Sequence, residues 1–147
     1  MDYKGMSLCD FCFEPVVPGT VCAKCGLTHE SYHAEAGLLM PGANLLGKYI
    51  IGRVLGRGGF GATYLAYSSE RNKPVAIKEY FPTGIANRAK GEESVSIVSD
   101  DKKKVFDKGA KRFFEEAKTI ARFNTNKHVV SVYEFFYANN TVYYSME

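Results

Sequence analysis

Leu55-Gly56-Arg57-Gly58-Gly59-Phe60-Gly61 and, a short β-prone run later, Pro74-Val75-Ala76-Ile77-Lys78 are the two stretches whose order decides the fold. A G-x-G-x-x-G run alone is shared with dinucleotide-binding folds, so its surroundings discriminate. In those folds the glycines open a helix, and an acidic residue follows about 20 positions on. Here the flanks Tyr49–Leu55 and Ala62–Tyr67 are both β-prone, and the residue 22 positions after Gly56 is Lys78. No Gly-Lys-Ser/Thr ending follows, which excludes a Walker-type loop. The stretch reads as strand, glycine turn, strand. Lacking Cβ atoms, such a turn brings backbone N–H groups close to phosphate oxygens, and Phe60 at the tip is placed to close over them. An ordinary glycine-rich hairpin is the alternative these residues leave open.

In the next strand Val75 and Ile77 alternate with Ala76 and Lys78, so Ala76 and Lys78 share a face. A small residue beside a cation suits a flat ring next to its phosphates; a half-buried strand with a solvated lysine is the plainer alternative. Downstream, Phe113, Phe114, Ala117, Ile120, Ala121 and Phe123 fall on one side of a helix expected to begin near Lys111. At 100° per residue Glu116 flanks that apolar arc, while Glu115 points almost oppositely, beside Lys111, Arg112 and Arg122. A carboxylate at the edge of a buried face needs a partner, and Lys78 is the candidate. Residues 83–110 form a long connection with a short strand expected at 95–98, and Asp100–Lys104 reads as a solvated loop. Val129–Phe136 and Thr141–Met146 read as a hairpin around 138–140.

Taken in order, the glycine run, Val75-Ala76-Ile77-Lys78 and a helix with Glu116 on its inner flank resemble the amino-terminal lobe of a protein kinase. The match is closest to bacterial serine/threonine kinases of the eukaryotic-like type, some of which read I-K-E-Y-F-P as Ile77 to Pro82 do here, and carry a zinc ribbon in front. The resemblance covers about residues 48–147. It implies a lobe with a five-stranded antiparallel sheet and one main helix. It also implies ATP as the ligand, with Lys78 and Glu116 as the ion pair that positions its α- and β-phosphates. The glycine loop, Leu55, Gly56, Arg57, Gly58, Gly59, Phe60 and Gly61, would cover the nucleotide. Leu55 and Ala76 would form the adenine roof, with Thr63 where the family usually has Val. Met146 would be the gatekeeper, and Glu147 the first hinge residue, its carbonyl facing the adenine amino group. The run His128-Val129-Val130 departs from the commoner H-P-N-I-V, which touches a turn and not the chemistry.

The head of the chain is chemically different. All four cysteines, Cys9-x2-Cys12 and Cys22-x2-Cys25, lie in the first 25 residues, nine residues apart between pairs. Two such knuckles can offer four thiolates to a tetrahedral ion, and Zn²⁺ is the usual occupant. Iron on the same ligands, redox pairs and disulfides are the other readings, and His29 and His33 read as polar residues beyond the ribbon. A module of this size cannot fold on its core alone, so a metal must supply the deficit. The expected α+β organisation is a zinc ribbon at 1–29, a linker at 30–47 with a possible short helix or docking segment at 30–40, and the lobe at 48–147.

The 147 residues are 46% hydrophobic and 24% charged, which excludes wholesale disorder. The net charge is only +3, set as −3 over residues 1–41 and +6 over 42–147, which disfavours a nucleic-acid partner for the ribbon. The start lacks a secretory layout and no apolar run approaches a membrane span, so a soluble, cytoplasmic chain is expected. No His-Arg-Asp loop and no Asp-Phe-Gly triplet occurs, so the catalytic base and both Mg²⁺ ligand positions are absent. The expectation is an inactive ATP-binding piece of a longer kinase that would phosphorylate a protein hydroxyl, with Mg²⁺ bound only alongside the missing lobe. The alternative is a non-catalytic zinc-ribbon adaptor that keeps the lobe as a scaffold.

Overall fold

The computed structural model describes residues 2–3, 6–33, 36–122 and 131–147. Phe123 of the expected helical face and His128-Val129-Val130 lie outside the described residues. The head is a small antiparallel sheet of β1 (Asp2–Tyr3), β2 (Met6–Leu8) and β3 (Pro15–Val16), in the order β1-β2-β3. The main sheet contains β4 (Asn44–Leu45), β5 (Tyr49–Gly58), β6 (Gly61–Ser68), β7 (Lys73–Tyr80), β10 (Val132–Ala138) and β11 (Thr141–Met146). Its order is β10-β11-β7-β6-β5-β4, and every pairing is antiparallel. The sheet thus has six strands and not the expected five. The extra one is β4, where Asn44 and Leu45 pair with Ile50 and Tyr49.

Between β7 and the helix, β8 (Ala86–Asn87) and β9 (Ser96–Ile97) make a separate two-stranded pair, the latter inside the strand expected at 95–98. The helix α1 spans Lys103–Ala121, eight residues earlier than expected, preceded by a 3-10 turn at Asp100–Lys102. The stretch read as a solvated loop at 100–104 therefore turns directly into the helix. Its reason is Phe106, buried against the Tyr80 ring at 5.0 Å, which extends the apolar stripe two turns before Phe113. The buried positions are Phe106, Phe113 and Ala117. Phe114, expected on that face, stands 100° round the helix from Phe113 and is 39% exposed against Phe135.

The sheet buries one face, and the other only where α1 packs on it. There, Phe113 and Ala117 of α1 cover Tyr80, Val142 and Tyr144. On the first, Tyr49, Ile51, Tyr64, Val75, Ile77, Phe136 and Tyr143 meet Leu38, Leu39 and Leu45. Residues 30–47 thus carry three buried leucines and β4, and no helix forms in their described part. The rings of Tyr49, Phe136 and Tyr143 stack in sequence, 5.4 and 5.2 Å between centroids. Tyr49 and Phe136 belong to strands four places apart, about 19 Å in a flat sheet at about 4.8 Å per strand. Their contact requires the sheet to curl. The β10–β11 turn is Asn139-Asn140, both with positive φ (53° and 61°), as a two-residue hairpin of matching twist demands.

The cysteine-rich head docks on the outer edge of β5. At the irregularity between Ile51 and Val54, the N–H of Arg53 donates to Phe11 O (3.0 Å) and that of Val54 to Tyr32 Oη (3.1 Å). The Phe13 ring lies 5.8 Å from that of Tyr67. Only a glycine fits at position 52, since a Cβ there would stand 2.6 Å from Phe11 O and 2.7 Å from the Phe13 ring. The head thus covers backbone donors that an exposed edge strand would leave open. No described helix is long and apolar enough to cross a membrane.

Candidate functional site

The sheet's registers assemble one half-covered face. Tyr144, Lys78 and Thr63 stand directly opposite one another across β11, β7 and β6, and Gly56 of β5 faces Thr63. One step along, Met146, Ala76 and Leu65 form a second row. Thr63, Leu65, Ala76, Lys78 and Met146 are all half-buried, whereas the alternating residues Ala62, Tyr64, Ala66, Val75 and Ile77 are fully buried. This is the period-2 pattern of a strand packed on one side and open on the other. Leu55 is 44% exposed just before the loop, and Glu147 is exposed with its N–H donated to Ser131 O at 2.9 Å.

The glycine run forms the hairpin between β5 and β6, with Gly59 and Phe60 at its tip. Residues 55–60 are exposed, Phe60 to 77%. The tip is tied down: Phe81 N–H donates to Phe60 O and Thr83 N–H to Gly59 O, each at 2.9 Å. Arg57 Nη1 reaches Ala36 O at 3.4 Å. Gly61 is needed for close approach, because a Cβ there would lie 1.9 Å from Glu79 O. Gly56, Gly58 and Gly59 have open space around their Cβ positions.

Lys78 Nζ lies 2.6 Å from Glu116 Oε1; Glu115 and Glu116 are both exposed, and it is Glu116 that meets the lysine. The helix supplies Glu116 because Phe113 and Ala117, three residues before and one after, are seated on the sheet. Tyr144 Oη donates to the same oxygen at 2.7 Å. Partial burial pushes Glu116 upward, but the hydrogen bonds from Lys78 and Tyr144 outweigh it and hold the carboxyl below its usual range. Next to this pair a cavity of about 520 Å³ opens between Phe60 of the loop tip, Pro82, Ile85 and the Lys108, Arg112 and Glu116 side of α1.

Behind Lys78, on the opposite face of β7, sits a group the sequence reading passed over. Glu79 is fully buried and accepts from Tyr64 Oη (2.8 Å), Tyr143 Oη (2.6 Å) and both Arg88 Nη atoms (3.2 and 2.7 Å). Arg88 also donates to Gly37 O and Glu93 O, each at 2.8 Å. Burial, reinforced by the Glu79 charge, pushes Tyr64 and Tyr143 far above the ordinary phenol range, so both remain donors. Glu79 was legible, being in phase with Val75 and Ile77. Leu65 and Tyr144 were also legible, two residues from Thr63 and Met146 on the same strands.

In the head, the four sulfurs lie within 4.8 Å of one another, with Cys9 Sγ 3.6 Å from Cys25 Sγ and Cys12 Sγ 3.7 Å from Cys22 Sγ. Four sulfurs about 2.3 Å from a tetrahedral zinc stand about 3.8 Å apart, so the set fits that ion. The separations are far too long for disulfides. Phe11 N–H points at Cys9 Sγ (3.5 Å), and Cys9 and Cys22 are buried. As free thiols they are unequal. Burial pushes Cys12 up to about 12, while the Cys25 backbone N–H chiefly brings Cys22 down to about 7. His29 instead meets Asp10 (2.9 Å) and His33 is exposed; neither joins the sulfurs. Four cysteines this close could bind a metal such as zinc.

No family model matches the sequence, and no curated protein matches it. Among solved structures, the apo form of PpkA-294, a fragment of a bacterial serine/threonine kinase, is similar with a TM-score of 0.70 at 31% identity. The match covers 76% of this chain and 39% of that one. This likeness, joined to the sheet registers above, gives the chain a kinase-like fold.

Proposed function

We propose that the chain is the ATP-binding part of a serine/threonine protein kinase, preceded by a structural zinc ribbon. The observation that carries the reading is the Lys78–Glu116 pair, held at 2.6 Å in the row that also contains Thr63 and Gly56, at the base of the glycine hairpin. Lys78 keeps 34% of its side chain exposed beside Glu116, so its ammonium has hydrogens left for a phosphate. Ala76, Leu65 and Met146 supply a low, apolar patch one step away that suits a flat base. In this reading Lys78 meets the α- and β-phosphates, Glu116 keeps Lys78 in place, and the glycine loop brings backbone donors over the phosphates. Leu55, Thr63 and Ala76 form the roof, with Met146 and Glu147 at the back and hinge. Transfer to a protein hydroxyl in such kinases uses a base and Mg²⁺ ligands carried by His-Arg-Asp and Asp-Phe-Gly motifs, neither of which occurs in these 147 residues.

Calorimetry of the full chain with ATP tests this. Weak but saturable binding is expected, reduced about tenfold or more in Lys78→Met, as for loss of a charge-assisted contact. ATP binding that ignores Lys78 would remove the assignment and favour the scaffold reading. Zinc on Cys9, Cys12, Cys22 and Cys25 would supply fold stability to the head and no chemistry at the nucleotide.

A further inference from the structure

Glu116 Oε1 receives two hydrogen bonds, and only one comes from Lys78. The other is from Tyr144, which stands directly opposite Lys78 in the β7–β11 register and is 1% exposed. The tyrosine neighbours both members of the pair and the helix that carries one: its ring centroid lies 5.8 Å from Lys78 Nζ, its hydroxyl 2.7 Å from Glu116, and its ring centroid 5.0 Å from that of Phe113 on the same helix as Glu116. Glu116 and Lys78 have side chains 48% and 34% exposed, and an ion pair so open to water is weak and easily broken. The tyrosine is different in kind. Its ring is fixed by burial, so its hydroxyl presents a donor at one place without losing further side-chain freedom.

We propose that Tyr144 is a positioning residue for the Lys78–Glu116 pair: its hydroxyl anchors Glu116 Oε1, and through it sets where Lys78 offers its ammonium to a nucleotide phosphate. The ligand in this statement rests on the nucleotide reading above; the anchoring of Glu116 does not. A purely structural Tyr144 would serve through its ring, which phenylalanine keeps.

The test uses the full chain with Tyr144→Phe. ATP affinity should fall about 3- to 10-fold, the loss of one charge-assisted hydrogen bond at a partly open site, while adenosine, lacking phosphates, should change less than about twofold. In a Lys78→Met background the same substitution should have no further effect on ATP. Equal weakening of ATP and adenosine, or an undiminished loss without Lys78, would overturn the proposal. A second readout needs no nucleotide. Among the described residues, the charged or titratable groups that hydrogen-bond Glu116 or line the cavity beside it are Lys78 and Tyr80 from β7, Tyr144 from β11, and Lys108 and Arg112 on α1. Carbon NMR of the Glu116 carboxyl should show its titration midpoint rising in Tyr144→Phe, and an unmoved midpoint would refute the anchor. If the unmodified chain binds neither ATP nor adenosine, the nucleotide reading fails, and the titration alone decides the role of Tyr144.

Discussion

Replacing Glu79 by leucine should cost this chain more than any other single change on the face of β7 behind Lys78. The carboxylate is fully buried and receives four hydrogen bonds, two from Arg88 and one each from Tyr64 and Tyr143. Leucine fills a similar volume, so the loss is electrostatic and not a cavity. It strands the Arg88 guanidinium, whose side chain is 2% exposed, without a carboxylate, leaving it the carbonyls of Gly37 and Glu93 and the face of the Phe81 ring. Removing one partner of a buried pair costs about 3–5 kcal/mol, because the other charge is left desolvated. Total stabilities are about 5–15 kcal/mol, so the variant should lose between about a fifth and all of its stability, and its urea midpoint should fall in proportion. Urea titration followed by far-ultraviolet circular dichroism measures this, provided the slope is unchanged. The double variant Glu79→Leu/Arg88→Met removes both charges and should be no less stable than Glu79→Leu alone. A loss under about 1 kcal/mol in the single variant, or a double variant that shows the sum of the two single losses, would refute the reasoning.

Other consequences are as specific. Gly61→Ala should lose about 3 kcal/mol, the upper end of overpacking costs, since Glu79 O belongs to a paired backbone that cannot yield; Gly58→Ala, with open space, should lose under about 1 kcal/mol by the same urea assay. Metal analysis should find about one zinc per chain, absent in Cys9→Ser or Cys22→Ser, and a chelator should unfold the head, since metal binding supplies its folding energy. Glu116 and Glu134 are partly buried, which raises them, yet donors from Lys78 and Tyr144, and from Tyr49 and Lys48, bring both below the ordinary 4.5. Depressed carboxylates stabilise above that value and cease to as pH falls through their folded values. Stability should therefore be flat above about pH 5.5 and decline as pH falls through 4.5 and below, less steeply in Lys48→Met or Lys78→Met.

The strands and their sidedness were readable because period-2 alternation is a local property: Val75, Ala76, Ile77 and Lys78 declare their faces from composition alone. The cysteine cluster was readable for a related reason, since two residues between thiols close a knuckle whatever surrounds it. The start of α1 was not. Lys102-Lys103-Lys104 reads as solvent-facing, and only the Tyr80 ring, 26 residues upstream of Phe106, makes that residue part of a buried stripe. The segment 38–45 carried too little periodicity to mark it as core, because its leucines are buried singly by what they meet.

From the sequence alone came the glycine hairpin, the pairing of Lys78 with Glu116 in preference to Glu115, and a four-sulfur set of the right spacing. Each depends on residues whose geometry is set by their own strand, helix or turn. The tertiary structure alone decided that β4 adds a sixth strand, that the head closes on β5 at Gly52, that Glu79 joins Arg88 behind Lys78, and that Tyr144 shares Glu116 with Lys78. Apart from the β4 pairing, which bridges only four to six residues, those contacts span from nine to about 40 residues of chain, and their energy comes from burial that no local pattern announces, because a tyrosine hydroxyl or a glycine has a role only once a distant partner arrives within hydrogen-bond or van der Waals reach.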